Sequence, residues 1–397
     1  MKILFLTDNF PPEFNAPASR TYAHCKEWVR QGAEVTVITG APNFPKGKVF
    51  EGYKNRWKQT EEMDGIRVIR VWTYIAANEG FLKRTLDFIS FMFTSFSAGI
   101  FVKTDVIVAT SPQFFTAIAG RWLSFFKRKP WIMEVRDIWP ESIKAVGAME
   151  GNLAIRYFEY LEKRMYKSAS KIVTVTDSFK QQLVEKHNIS QDKIGVFKNG
   201  VDTTIFQPIS KDEDLLHQIG LQGKFVIGYI GTHGMAHKLD FVLKSAKLIE
   251  DKDIHFLFLG TGAERENLLR LKGQLKLDNV TMLDSVPKSE VSKYISILDV
   301  GLVNLKKSKT FESVIPSKIF ELAAMHKPIL LGVSGESKEM VEEYNVGVGF
   351  EPENSAELIY KINYLKENQN KEYGFEEFVS KYKRENLAKQ MLLFIKE

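Results

Sequence analysis

The sequence predicts an α/β protein built from two domains, each around a parallel sheet. Apolar runs of strand length recur along all 397 residues. Helical patterns separate most of them, and in the second half such runs open into glycine turns. Alternation of this kind implies parallel sheets joined by right-handed crossovers. In the first half the expected strands are residues 2–7, 33–38, 67–72, 105–109, 130–134, 171–175 and 193–197. In the second they are 225–230, 254–259, 279–283, 299–303 and 328–332. The boundary falls near NGVDTTIFQP, because Asn199-Gly200 is a turn signal and Pro208 starts a polar stretch. The final segment, FEEFVSKYKRENLAKQMLLFIKE, is amphipathic with a helical period.

Composition is compatible with this. The length allows about two to three domains with large cores. Hydrophobic residues make up 44% and charged residues 26%, ordinary for a globular chain. The single cysteine, Cys25, has no intramolecular partner, which fits a reducing compartment, and reads as a small buried side chain. KILFLT is a strand after one lysine and lacks the longer apolar core of a signal peptide. No metal-spaced Cys/His cluster is present, so no metal and no cofactor are expected. Charge is unevenly divided. Residues 1–200 carry 29 Lys and Arg against 20 Asp and Glu, a net of +9; the chain totals of 55 and 49 leave −3 for residues 201–397. A basic first half suggests an anionic partner there. No nucleic-acid motif accompanies that charge, which favours a membrane surface or a lipid diphosphate.

The chemistry concentrates in the second half. In TFESVIPSKIFELAAMHKPILLG (residues 310–332), Pro316 and Ser317 lead into a helix carrying Lys318 and Glu321. A helix start suits an anion, and an ionised carboxylate one turn in accepts hydroxyl hydrogen bonds. FVIGYIGTHG puts Gly231, Thr232, His233 and Gly234 in a turn after a strand, and Lys238 follows at the next helix start. IHFLFLGTGAERENL repeats the arrangement with Gly260 and Gly262. Open α/β sheets bind ligands at this edge, and the set reads as a nucleotide-sugar site. A nicotinamide dehydrogenase is disfavoured, because no glycine fingerprint with an acid about 20 residues on follows the first strand.

The ordered series GYIGTHG…K, FLGTGAE, IPSKIFELAA…KPIL and NVGVGFEPENSAEL resembles the retaining glycosyltransferases of family 4. MKILFLTDNFPPEFNAPASR, GAEVTVITGAPNFPKG, EVRDIWPES, VTVTDSFKQQL and FKNGVDTTIFQP extend the resemblance from Lys2 to about Ala388. FPPE with RDIWPES is similar to the branch that builds bacterial O-antigens, capsules and exopolysaccharides and includes N-acetyl-fucosamine-type transferases. The resemblance implies the GT-B fold, two facing Rossmann-like domains with a last helix crossing back to the first. The domains would be residues 1–204 with 379–397, facing acceptor and membrane, and 205–378, holding the donor.

It also implies roles. Lys238 would neutralise the diphosphate leaving group, residues 231–234 and 316–318 would approach the phosphates, and Glu321 would bind the ribose. Where the family often has an arginine near the glycine turn, this chain has Thr232 and His233; His233 is either a second positive charge or a turn residue. The family's first glutamate falls on Ser313, and Glu312 lies one residue early, so Glu312 or backbone amides would contact the donor sugar. Asp137 would orient or deprotonate the acceptor hydroxyl, or merely start a turn. Asn15 to Ala18 stand where the family has a glycine pair in the first loop, and Asn15 and Ala16 would contact the acceptor. Arg20 would meet an acceptor phosphate or lie on the surface.

Residues 88–102, FISFMFTSFSAGIFV, hold five phenylalanines and no charge. The run is short for a membrane span. It is either an interfacial helix, with Lys83 and Arg84 near headgroups, or a helix buried on the first sheet. FFKRKPW at 125–131 sets three basic residues beside three aromatics. The expected activity is metal-independent, retaining transfer of an amino-hexose-type sugar from a UDP-sugar to a polyprenyl-diphosphate-linked saccharide. It would work peripherally at the cytoplasmic face of the plasma membrane. The alternatives are a UDP-sugar 2-epimerase and an inactive sugar-nucleotide-binding protein.

Overall fold

The structure is a computed structural model, and it describes residues 1–13, 15–44, 47–75, 81–111, 114–138 and 152–397. The chain divides into two compact units, Met1–Lys198 with Arg384–Glu397, and Asn199–Lys383. In chain order the first contains β1 (Lys2–Leu6), α1 (Ala16–Arg30), β2 (Glu34–Gly40), β3 (Lys58–Met63), β4 (Ile66–Val71) and α2 (Phe81–Ile100). It continues with β5 (Val106–Thr110), α3 (Phe114–Lys127), β6 (Trp131–Val135), α4 (Asn152–Ser168), β7 (Lys171–Thr174), α5 (Asp177–His187) and β8 (Ile194–Val196). The second begins with α6 (Glu213–Gln218), β9 (Phe225–Ile230), α7 (Leu239–Ala246), β10 (Ile254–Leu259), α8 (Arg265–Leu275), β11 (Val280–Leu283) and α9 (Lys288–Ser296). After these come β12 (Val300–Asn304), α10 (Lys309–Glu312), α11 (Lys318–Ala324), β13 (Ile329–Gly332), α12 (Glu336–Glu343), β14 (Gly347–Gly349), α13 (Ser355–Glu367) and α14 (Phe375–Tyr382). Finally α15 (Arg384–Lys396) rejoins the first unit.

The first sheet runs β3-β4-β2-β1-β5-β6-β7-β8 and the second β11-β10-β9-β12-β13-β14. Every ladder is parallel except β3 against β4. Strand order reverses beside β1 in the first sheet and beside β9 in the second. Ligand sites in such sheets lie beyond the carboxyl ends of the strands at that reversal.

Parallel strands covered on both faces read as continuous apolar runs. In the first unit Ile3, Phe5, Val35 and Val37 face α1 and α15, packing with Cys25, Trp28, Met391 and Leu392. Leu4, Leu6, Ile107 and Met133 form a second core with residues of α2, α3 and α4. Cys25 is fully buried, and burial pushes its thiol well above the ordinary range.

The boundary lies at 198/199 and 383/384 rather than at 204/205 and 378/379. Val201 is buried in the second unit's core and donates its N–H to the Tyr382 carbonyl at 3.0 Å. α14 stays there too, with the Phe378 and Phe320 rings 5.7 Å apart. Only α15 returns. Among the described residues no helix is long and apolar enough to cross a membrane.

The helix expected over residues 88–102 packs one side on the first sheet and leaves another exposed. α2 buries Phe91 and Met92 and exposes Leu86, Phe93 and Ile100 at seven-residue spacing. Its outer face adjoins α3 through Phe96, whose ring lies 5.7 Å from Trp122 and 5.4 Å from Phe126.

Candidate active site

In the second unit the turn after β9 and the turn after β10 are locked together. His233 N–H donates to the Thr261 carbonyl at 2.8 Å, and Glu264 N–H donates to the His233 carbonyl at 2.9 Å. Gly260 and Gly262 make this approach possible. A Cβ at 260 would collide with the Gly231 carbonyl, and one at 262 would stand 2.5 Å from the His233 oxygen. Both have φ in the region L side chains avoid, +147° and +158°. Gly260, expected at the donor, is therefore required by the packing of one turn on the other. Arg265 holds the same turn, donating Nη1 to the Gly260 carbonyl at 2.9 Å and pairing Nη2 with Asp284 at 2.8 Å.

Gly231 leaves room for Lys318. A Cβ at 231 would lie 2.5 Å from Lys318 Cε and 2.8 Å from its Nζ. That ammonium donates to Tyr229 Oη at 3.2 Å, and Tyr229 in turn donates to the Thr232 carbonyl at 2.8 Å. Burial drives the Lys318 ammonium down to about 8, with Glu321 opposing the shift. A half-buried cation without an ion-pair partner in contact has a reason to take an anion. Sequence reasoning assigned this residue for its backbone; its side chain is the stronger feature. Pro316 and Ser317 precede it, and the Ser317 hydroxyl makes no cap to α11.

Lys238 adopts a left-handed conformation (φ +48°) where α7 begins. Its Nζ lies 3.2 Å from Asp240 Oδ2, an oxygen shared with Lys244 at 3.0 Å. His233 does not supply a second positive charge. Its ring is fully buried, both ring nitrogens lack partners, and burial, Arg265 and Lys318 push it down to about 4. His237 is driven to about 3 by burial and Lys318. Gly234 starts a 3₁₀ turn over Met235–His237. Glu312 ends α10 with its side chain exposed, while Ser313 Oγ turns back to donate to the Thr310 carbonyl at 3.1 Å.

In the first unit Arg20 corrects both of its expected roles. Its side chain is 1% exposed and pairs Nε with Glu134 Oε1 at 3.0 Å. Nη1 donates to the Lys198 carbonyl at 2.7 Å and Nη2 to the Phe197 carbonyl at 2.8 Å. It is neither on the surface nor free to meet a phosphate. Asn15 is likewise committed: Oδ1 caps α1 by accepting Ala18 N–H at 2.8 Å, and Nδ2 donates to Asn9. Ala16 is exposed at the first helical position.

Asp137 follows β6, and burial raises its carboxyl to about 6 against the pull of Arg136. Residues 139–142 of that segment lie outside the described residues. Three groups here went unrecognised in the sequence. Arg136 has Nε and Nη1 buried without partners, and burial lowers it to about 10. Glu134 has an unpartnered Oε2 beside it, and its pKa is lowered: burial would raise it, but Arg20 and Arg136 outweigh that. Glu13, from the FPPE segment, accepts the N–H groups of Asn43 and Phe44 on one oxygen at 2.8 and 2.9 Å. Burial, with Glu13 adding to it, raises Asp87 to about 7. A charged pair in consecutive strand-end positions, Arg136-Asp137, was the one available signal. Among the described residues no group of three or more His, Cys, Asp or Glu could hold a metal ion.

Two doubly wound units, each with its polar groups gathered at strand ends, define the class of architecture. Residues 15–200 match the glycosyl transferase 4-like domain, and residues 212–384 match the glycosyl transferases group 1 domain. The chain belongs to the glycosyltransferases of GT-B fold. WcaI of Escherichia coli K12, by name a colanic acid biosynthesis glycosyl transferase, is 25% identical over 375 residues, 91% of each chain. Among solved structures, Anabaena HepE in complex with UDP and glucose is similar at TM-score 0.74, with 16% identity and full coverage of both chains. Sucrose-phosphate synthase of Thermosynechococcus elongatus is similar at 0.76, with 14% identity over 100% of this chain and 98% of that one.

Proposed function

We propose that this glycosyltransferase moves an amino-hexose-type sugar from a UDP-sugar to a polyprenyl-diphosphate-linked saccharide during assembly of a bacterial surface polysaccharide. The observation that carries the reading is the half-buried Lys318 ammonium, packed against Gly231 and donating to Tyr229. A leaving diphosphate gains charge as the glycosidic bond breaks, and a preorganised cation in a poorly solvated site stabilises it. Lys238, at the same turn, adds a second cation, and Glu321 takes the ribose. The HepE complex with UDP supports the nucleotide, and the name of WcaI supports the polysaccharide.

Asp137, its carboxyl raised by burial to about 6 and so still mostly ionised at neutral pH, orients the acceptor hydroxyl. The acceptor oxygen forms the new bond on the face the diphosphate leaves, so configuration is retained, and the diphosphate takes the hydroxyl proton. Lysines supply the positive charge, and the reaction is metal-independent in this reading. Incubation with a panel of UDP-sugars, with and without a polyprenyl-diphosphate-sugar, tests it. Acceptor-dependent UDP release with a one-sugar mass gain is expected. A changed UDP-sugar without UDP release would instead identify an epimerase.

The acceptor is a lipid, and the outer face of α2 and α3 suits a peripheral position at the cytoplasmic leaflet. Phe93, Phe101, Phe125 and Phe126 are 53%, 82%, 78% and 66% exposed. Residues 81–131 carry seven Lys and Arg against two Asp. Aromatics rimmed by basic groups bind anionic lipid through both burial and charge. Replacing Phe101, Phe125 and Phe126 together by serine is expected to weaken sedimentation with phosphatidylglycerol vesicles by about tenfold or more. Equal sedimentation would place the contact elsewhere.

A further inference from the structure

The second unit holds a cavity of about 360 Å³ at the amino ends of its strands. Phe225 opens β9, Val300 opens β12 and Pro328 precedes β13, and all three line it. A six-residue strand is roughly 17–20 Å long, so β9 separates this cavity from the Gly231 turn. The donor groups are at the opposite edge of the sheet.

Its lining carries an imbalance of charge. Lys211, Lys327 and Lys371 face it against one carboxylate, Asp299. That carboxylate is already engaged: Oδ1 lies 2.7 Å from Lys211 Nζ, and Oδ2 accepts the Val226 N–H at 2.7 Å. Lys327 Nζ donates to the Ser296 carbonyl at 2.7 Å, which uses one of its three N–H groups. Burial first, and then Lys211, push its ammonium down to about 8. An anion placed between these lysines relieves both effects. One wall is aromatic. The His326 and Phe375 rings stack with centroids 5.2 Å apart, Tyr373 continues the stack at 5.2 Å, and the Lys371 ammonium lies 5.5 Å from the Tyr373 ring centre.

We propose that this cavity binds a small phosphate-bearing molecule, its anion held by Lys211, Lys327 and Lys371 and its body against Tyr373 and Phe375. The volume falls in the range of small-molecule sites, about 300–1,000 Å³. Lysine serves phosphate as a point charge, so an unbranched cluster of three suits a compact dianion better than a planar carboxylate. The assignment stands independently of the donor reading, since it uses none of the residues placed there.

Calorimetric titration of the full-length protein, in saturating UDP to occupy the donor turns, tests it with three probes: inorganic phosphate, pyrophosphate and glucose 6-phosphate. Wild type is expected to bind at least one of them. Lys327→Met and Lys371→Gln are each expected to weaken that binding about tenfold or more, the worth of a charged hydrogen bond, with the UDP titration unchanged. Tighter binding of glucose 6-phosphate than of the inorganic anions would show that the aromatic wall holds an organic body. Lys371→Gln alters an ammonium that lies over aromatic rings, so it reports even where Lys327→Met fails to fold. No heat with any probe, or equal affinity in wild type and Lys371→Gln, would overturn the proposal. Failure of UDP to bind wild type would count against the transferase reading alone.

Discussion

Lys318→Met is expected to lower kcat/KM for sugar transfer by about 100- to 1,000-fold, the cost of removing one preorganised charge from a developing anion. Methionine retains the apolar stem that lies against Gly231, so the loss reports the ammonium rather than the packing. The same group gives a pH signature. It is charged below about 8 and loses its proton above, so donor affinity falls as pH rises through that value. Stability moves the other way. Between about 8 and the ordinary 10.5 the unfolded chain keeps a proton that the folded chain has released, and the contribution of this group to stability rises with pH. Below 8 both states are protonated and the burial penalty is fully present. Urea midpoints at about pH 7 and pH 9.5, compared with those of the methionine variant, isolate this term. Unchanged kcat/KM in Lys318→Met would remove the residue from the donor site.

The second large effect is on stability. Arg20→Met leaves the Glu134 carboxylate buried without its ion pair and strips the Phe197 and Lys198 carbonyls of their donors. Removing one partner of a buried pair costs about 3–5 kcal/mol. All six tryptophans lie within residues 1–198, so tryptophan fluorescence reads the first unit alone while circular dichroism reads both. The fluorescence transition is expected to move to lower urea, with the second unit's transition unmoved. Arg20→Met with Glu134→Leu removes both charges and is expected to recover part of the loss. A change under about 1 kcal/mol in the single variant, the scale of a solvated pair, would mean that Glu134 finds another partner.

Sequence alone located the buried strands well, because a parallel strand covered on both faces must be apolar throughout. It missed β3 and β14 for the same reason in reverse. KQTEEM alternates half-buried and exposed residues at the sheet's edge, and its pairing with β4 comes from the Asp64-Gly65 turn, both residues at positive φ. Gly347–Gly349 has almost no side chains to mark it. The glycine turns were legible as turns, but the distinction between Gly231, which makes room for Lys318, and Gly260, which makes room for another backbone, depends on tertiary approach. Arg20 illustrates the converse. An arginine early in an amphipathic helix gives no hint of a carboxylate 114 residues away. The position of Lys318 was found through its motif, while the burial that shifts it needed Tyr229 and the β9 turn around it.

The return of α15 bears on how the polypeptide is made. Trp28 donates its indole N–H to the Ala388 carbonyl at 2.9 Å, and Met391, Leu392 and Ile395 complete the apolar layer over β1 and β2. A ribosome that has finished residues 1–198 has therefore not supplied that layer, and must synthesise another 185 residues of the second unit first. The N-terminal unit emerges with one side of its sheet incompletely sealed, and it closes only after the inserted unit has left the exit tunnel. Premature termination just before residue 384 would yield an intact donor half attached to an unsealed partner, a species prone to aggregation and to proteolysis.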